Sequence, residues 1–193
     1  MLLYEGRYER MFGIKTMLVK KSDDADNFHY QGASYLVLLD LFKKLPETIR
    51  NRNFIDIGSG KGRALFCAEY SGFNNLIGVE LDKELVEIAN ENIERYLLKR
   101  NESHFKFICG NALTFQIPEG TAVFYFFNPF SEKIMSEVEK NISNYQKQTN
   151  SAIFIIYVNP KFKDVWIDAG YEIYHEEGNQ RYTEALIFHK KPD

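Results

Sequence analysis

The sequence predicts an α/β protein built on a doubly wound, mostly parallel seven-stranded sheet with an antiparallel C-terminal strand. Three observations predict it. Short apolar runs alternate with segments of helical period from residue 53 to residue 158, the pattern of strands rising and helices returning. A glycine turn, Gly58-Ser59-Gly60-Lys61-Gly62, joins the first run directly to the first helical segment. Beyond Gly170 the alternation stops, and residues 171–175 and 184–189 follow one another as strands with no helix between them. They pair as a hairpin, which reverses the last strand.

The elements follow in order. Residues 53–57 form the first strand, apolar at Phe54, Ile55 and Ile57 and interrupted only by Asp56. A helix with Leu65, Phe66 and Ala68 runs to about residue 71, and Gly72 stops it. The second strand is 76–81. Asp82 then caps a helix over 83–99 with Leu85, Val86, Ile88, Ala89, Ile93 and Leu97 on its apolar face. The third strand is 105–109. After a loop containing Pro118 come a strand at 122–127, a helix at 131–145, a strand at 152–158 and a short helix at 161–169. Upstream, Ser34 reads as the N-cap of a helix carrying Leu36, Val37, Leu39, Leu41 and Phe42, with Pro46 beyond its end. Residues 1–28 have a basic bias at Arg7, Arg10, Lys15, Lys20 and Lys21, reversed by Asp23, Asp24 and Asp26. The expected division is an extension and helix at 1–45, packed on a ligand-binding domain at 46–193, in a single globular unit.

Composition narrows the class. A chain of 193 residues that is 45% hydrophobic, with 16 Phe and 12 Tyr, has the material for a core and for a stacking pocket. A net charge of -3 argues against a broad nucleic-acid surface. The two cysteines, Cys67 and Cys109, and the four scattered histidines form no metal-ligand spacing, so no metal is expected and both thiols are read as buried and reduced. No secretory signal and no membrane-spanning run is present in the sequence as given. The expectation is a soluble, cytoplasmic protein of undetermined oligomeric state.

Four stretches fall at the C-terminal ends of successive strands, where open α/β sheets bind ligands. They are the glycine loop, Glu80, Gly110-Asn111-Ala112, and Asn128-Pro129-Phe130. Each alone has a plainer reading: a common loop, a solvated strand end, and two turns. Together they point to a nucleoside. A glycine loop before a helix admits a ligand to the backbone and turns N–H groups toward an anion, and a carboxylate after the second strand can accept both hydroxyls of a ribose. The dinucleotide fingerprint needs a small residue where Arg63 stands, which argues against NAD, and no Gly-Lys-Ser/Thr occurs. Tyr30, Gln31 and Tyr35 either close over the ligand or pack at a helix start.

These motifs resemble the class I S-adenosylmethionine (SAM) methyltransferases over residues 53–189. They look most like bacterial members of unassigned substrate and, more distantly, like the histone-lysine methyltransferases that lack a SET domain. The resemblance implies a Rossmann-like fold and S-adenosyl-L-methionine as cofactor. It implies a cofactor set of Asp56, Gly58, Ser59, Gly60, Gly62, Glu80, Leu81, Asn111, Ala112 and Asn128. Asp56 would order the loop near the amino acid end of SAM, and Gly58 and Gly60 would admit its methionine portion. N–H groups near Gly62 would meet its carboxylate. Glu80 would hold the ribose, Asn111 with Ala112 would flank the adenine, and the methyl group would point toward Asn128. Asn111 departs from the Asp common in the family.

Asn128, Pro129 and Phe130 are the candidate catalytic residues. They are similar to an Asn/Asp-Pro-Pro-aromatic motif that grips a planar –NH2 group, with the second proline absent. The implied function is methyl transfer from SAM to an unidentified acceptor, with nitrogen as the candidate atom, on a protein side chain, a nucleic-acid base or a small molecule. The alternative is a SAM- or nucleoside-binding sensor without turnover.

Overall fold

Seven strands form one sheet in the order β3-β2-β1-β4-β5-β7-β6. The structure, a computed structural model, describes residues 2–17, 32–179 and 182–192. The strands are β1 (Asn53–Ile57), β2 (Asn75–Glu80), β3 (His104–Cys109), β4 (Thr121–Phe127), β5 (Ile153–Val158), β6 (Glu172–Asn179) and β7 (Tyr182–Lys190). β1 to β5 are parallel, and β7 runs antiparallel to β5 and to β6. The α/β class and the reversed C-terminal strand are therefore as expected. The hairpin strands are longer than expected, because their backbone pairing continues past the apolar runs into Glu176 and Glu177.

Strand periodicity sorts the core into two layers. Phe54, Leu76 and Tyr125 face one side. There they meet α2 (Tyr35–Lys43), α3 (Arg63–Tyr70) and Phe12 at the end of α1 (Leu2–Phe12). Ile55, Ile57, Phe124 and Phe126 face the other, with Met135, Val138 and Ile142 of α5 (Glu132–Thr149) and Trp166 of α6 (Asp164–Asp168). The helix after β2, α4 (Lys83–Arg95), is shorter than expected. Leu97 lies beyond it and is 72% exposed, while Asn92, absent from the expected apolar face, is fully buried beside Leu85 and Ala89.

Asn92 is buried because it joins two backbones. Its Oδ1 accepts the Lys15 N–H at 3.0 Å, and its Nδ2 donates to the carbonyls of Lys15 at 3.3 Å and Lys61 at 3.1 Å. Arg63 makes the second junction. Its Nη1 donates to Glu5 Oε2 at 2.8 Å and to the Ala33 carbonyl at 2.9 Å, and its Nε donates to Thr16 Oγ1 at 2.7 Å. The guanidinium lies over the Tyr35 ring, 4.5 Å from its centroid. A charge this deep is tolerated only when its donors are paired. Thus α1 and the segment after it are tied to the chain around the glycine loop.

This junction corrects one reading and decides another. Ser34 does precede α2, but its hydroxyl makes no cap. It donates to Glu5 Oε1 at 3.0 Å, and the Tyr35 N–H donates to the same oxygen at 3.3 Å, so a carboxylate from another helix caps α2. Tyr35 is fully buried, with its hydroxyl 3.0 Å from Thr16 Oγ1. It is a core residue and does not close over the rim. Tyr30 and Gln31 lie outside the described residues.

Replacing Glu5 by alanine removes the main counter-charge of a buried guanidinium. Urea unfolding should show a loss of about 3 kcal/mol or more, against about 1 kcal/mol or less for Glu91→Ala, which breaks only an exposed pair with Arg95.

Candidate active site

The glycine loop is closed by its own backbone and by the next strand. The N–H groups of Gly58 and Ser59 both donate to the Val79 carbonyl, at 2.8 and 3.1 Å, and the Gly62 N–H donates to the Ser59 carbonyl at 2.9 Å. Gly58, Gly60 and Gly62 have φ of 82°, 52° and 85°, which only glycine adopts without cost. Space explains Gly62 further. A Cβ there would fall 2.5 Å from the Phe107 ring, as would one on Gly78. Phe107 on β3 is therefore wedged between the loop and β2.

Glu80 sits at the end of β2, half-buried. Its Oε2 accepts the Gly60 N–H at 2.8 Å and its Oε1 accepts the Asp82 N–H at 3.0 Å. Each carboxylate oxygen has a further lone pair. Beside it, Leu81 is 72% exposed. The Gly110 N–H bonds the Glu80 carbonyl at 2.9 Å, which brings Asn111 and Ala112 to the same rim. Asn111 Oδ1 accepts the Leu113 N–H at 2.9 Å, an Asx turn, and its Nδ2 makes no bond among the described residues. Ala112 is partly buried against the second core layer.

Asp56 is 2% exposed, and burial pushes its carboxyl well above the usual carboxylate range, helped by the Glu80 charge. Ser59 is also buried. Its hydroxyl lies against Gly78, where a Cβ would approach within 2.7 Å, and has no hydrogen-bond partner. The expected ligand contact of Ser59 is thus directed at the sheet, and the Gly62 N–H is already used within the loop. Of the thiols, Cys67 is buried and Cys109 exposed, with Cys109 Sγ 3.7 Å from the Leu81 carbonyl. The expectation of two buried thiols fails at Cys109, because β3 is an edge strand.

On the other side of the rim, Asn128 has φ 40°. Its Oδ1 accepts from the Tyr157 hydroxyl at 2.9 Å. Pro129 closes on the loop directly, since a Cβ on Gly58 would lie 2.9 Å from Pro129 Cβ. Phe130 is partly buried against the second core layer. The four stretches read from sequence are brought to one edge of the sheet. Tyr157 was missed. It looks like an ordinary core aromatic, and only the neighbouring Asn-Pro dipeptide at residues 159–160 marked its strand end. No cluster of metal-ligating side chains occurs among the described residues, nor any helix long and apolar enough to cross a membrane.

Asp56 has a folded pKa above its unfolded value of 3.8. A raised carboxyl contributes stability below the unfolded value and loses it as pH rises through the folded one, so the carboxylate costs stability near neutrality. Asp56→Asn should therefore raise the melting temperature at pH 8, by about 2–4 °C for each kcal/mol relieved. The gain should vanish at pH 4. A melting temperature unchanged at both values would show that Asp56 carries no such cost.

Comparison with known proteins bears on the fold and on the domain. Residues 55–147 match the family described as a methyltransferase domain. No curated protein matches the chain. Among solved structures, a protein of Pyrococcus horikoshii is similar at 15% identity with a TM-score of 0.61, over 97% of this chain and 99% of that one. A SAM-dependent methyltransferase of Methanosarcina mazei is similar at 13% identity and a TM-score of 0.61, over 80% of this chain and 98% of its own. The magnesium protoporphyrin IX methyltransferase of Synechocystis, with SAM bound, is similar at 12% identity and a TM-score of 0.57, over 80% and 77%. At such identities these likenesses establish the fold alone. Residues 55–147 match a methyltransferase domain, and S-adenosylmethionine-dependent methyl transfer is the activity that this match supports.

Proposed function

We propose that the glycine loop, Glu80 and the Asn111 turn hold S-adenosylmethionine, and that Asn128 and Phe130 present a nitrogen acceptor to its methyl group. The observation that carries this reading is the Gly60 N–H bond to Glu80, which joins a carboxylate and a glycine loop on adjacent strand ends. The residues fit the cofactor. The outward lone pairs of Glu80 suit two vicinal hydroxyls. Leu81, largely exposed beside it, offers an apolar wall to a base. Asn111, with Oδ1 engaged in its turn, has Nδ2 left to donate to a ring nitrogen, and Ala112 leaves room beside it. Asp56 is a buried carboxyl with no counter-charge among the described residues, and a ligand ammonium would provide one. Since the Gly62 N–H is spent, the ligand carboxylate falls to the first turn of α3.

Bound S-adenosylmethionine supplies a methyl group already activated on a sulfonium, so little acid–base chemistry is asked of the protein. Its residues contribute position and exclusion of water. Pro129, seated on Gly58, holds the acceptor side against the cofactor side. Asn128 grips the nitrogen through its carboxamide, and Phe130 walls the site. Two free thiols fit a reducing compartment, and a cytoplasmic location goes with this reading.

Two substitutions separate the halves of the site. Glu80→Ala should weaken SAM binding by about 1–3 kcal/mol in calorimetry, and unchanged affinity would remove Glu80 from the site. Asn128 is better replaced by glycine than by alanine, because glycine accepts φ 40° freely. Asn128→Gly should slow single-turnover transfer of labelled methyl from SAM to the lysate fraction that wild type labels, by about 100-fold, with SAM affinity intact. A wild-type rate would leave Asn128 as a turn residue.

A further inference from the structure

A second Asn-Pro turn stands beside the first. β4 ends at Phe127 and runs into Asn128-Pro129, and β5 ends at Val158 and runs into Asn159-Pro160. The strands are parallel neighbours with Phe127 paired to Val158, so the two turns leave the sheet side by side. Both asparagines are left-handed, with φ of 40° and 52°. A side-chain-bearing residue pays a steric penalty there, and a following proline narrows its freedom further. Among the described residues the other non-glycine case is Asn150, which ends α5. Helix termination explains Asn150 and explains neither of the paired turns.

The two carboxamides are held differently. The Phe162 N–H donates to the Tyr157 hydroxyl at 3.4 Å, and that hydroxyl donates to Asn128 Oδ1 at 2.9 Å. Tyr157 is fully buried, with its ring edge-on to Phe126 at 6.3 Å. Burial raises its pKa to about 12, so the hydroxyl keeps its proton. A backbone N–H only donates and an amide oxygen only accepts, so the chain of bonds has one direction. It fixes which side of the Asn128 carboxamide faces inward. Asn159 is secured by its backbone instead. Its N–H donates to the Glu184 carbonyl at 2.8 Å, and its own carbonyl accepts the Lys161 N–H at 2.9 Å. Its half-buried side chain makes no hydrogen bond among the described residues.

We propose that Asn159 is a specificity-determining residue of the methyl transfer, and that the acceptor lies between two carboxamides: Asn128, oriented by Tyr157, and Asn159 beside it. This rests on the acceptor-side reading of Asn128. A carboxamide carries a donor and an acceptor in one plane, so the pair selects a planar group that presents N–H next to a hydrogen-bond acceptor. Tyr157 is a positioning residue that acts through Asn128.

The test uses the full chain, methyl-labelled SAM, and the lysate fraction labelled by wild type. Glycine takes φ 52° without cost, so Asn159→Gly removes the carboxamide and keeps the turn. Its acceptor concentration for half-maximal rate should rise by about 10-fold or more, with SAM affinity unchanged. Tyr157→Phe should slow transfer in the wild-type background and add nothing to Asn128→Gly, since residues that act as one unit are non-additive. An Asn159→Gly variant with wild-type acceptor dependence, while Asn128→Gly is slow, would overturn the role of Asn159 alone. Loss of SAM affinity in Asn159→Gly would overturn it too, by making Asn159 a scaffold of the rim. Asn128→Gly at wild-type rate would instead overturn the acceptor-side reading itself.

Discussion

The bond from the Gly60 N–H to Glu80 Oε2 joins the two strand ends on which the site is built. β1 and β2 are neighbours in register up to Ile57 and Val79, and their ladder carries on into the loop through the N–H groups of Gly58 and Ser59. Glu80 then takes the next N–H of the loop, at 2.8 Å, and that of Asp82 on its other oxygen. A carboxylate that accepts backbone N–H bonds is held in one orientation. The remaining lone pairs are thereby aimed before any ligand arrives, which is the kind of preorganisation a binding site needs.

The loop also needs support from behind, and that support comes from far along the chain. Arg63 and Asn92 bind the segment around Thr16 to the chain at Lys61 and Arg63. Neither bond set is cheap to bury. Each works because nearly every polar atom finds a partner: a carboxylate, a carbonyl, a hydroxyl and an aromatic face for Arg63, and two backbones for Asn92. Phe107 completes the support from the β3 side, in the space that Gly62 and Gly78 leave open. The glycine-loop side is thus held from behind, while Asn111 Nδ2 makes no bond among the described residues.

The Asn128 side of the rim follows a different logic. Its backbone is strained at Asn128 and Asn159 and is held by contacts from elsewhere: Pro129 on Gly58, the Tyr157 hydroxyl on Asn128, and Glu184 on Asn159. Strain of this kind, about 1–3 kcal/mol per residue, persists only where the surroundings over-determine it. Because Pro129 rests on Gly58, the two halves of the site share a contact, and a bulky residue at Gly58 would push on both.

The amino-acid sequence by itself determined the α/β class, the parallel run of strands, the reversed C-terminal strand and the four loops at one edge. Those are local properties. Period-2 and period-3.6 patterns, glycine at positive φ and an aspartate before α4 act over a few residues, so they can be read in order. The tertiary structure alone decided which atoms of those loops remain available. Ser59 turned to Gly78, the Gly62 N–H turned inward, and Asn111 Oδ1 closed its own turn. It also decided that Ser34 yields its cap to Glu5, that the polar Asn92 is buried on α4, and that Cys109 lies open on an edge strand. Tyr157 became part of the site in the same way, since its partner Asn128 is supplied by a different strand. Each of these outcomes depends on a partner distant in the chain, and burial and hydrogen-bond satisfaction are settled among such partners only once the chain has folded.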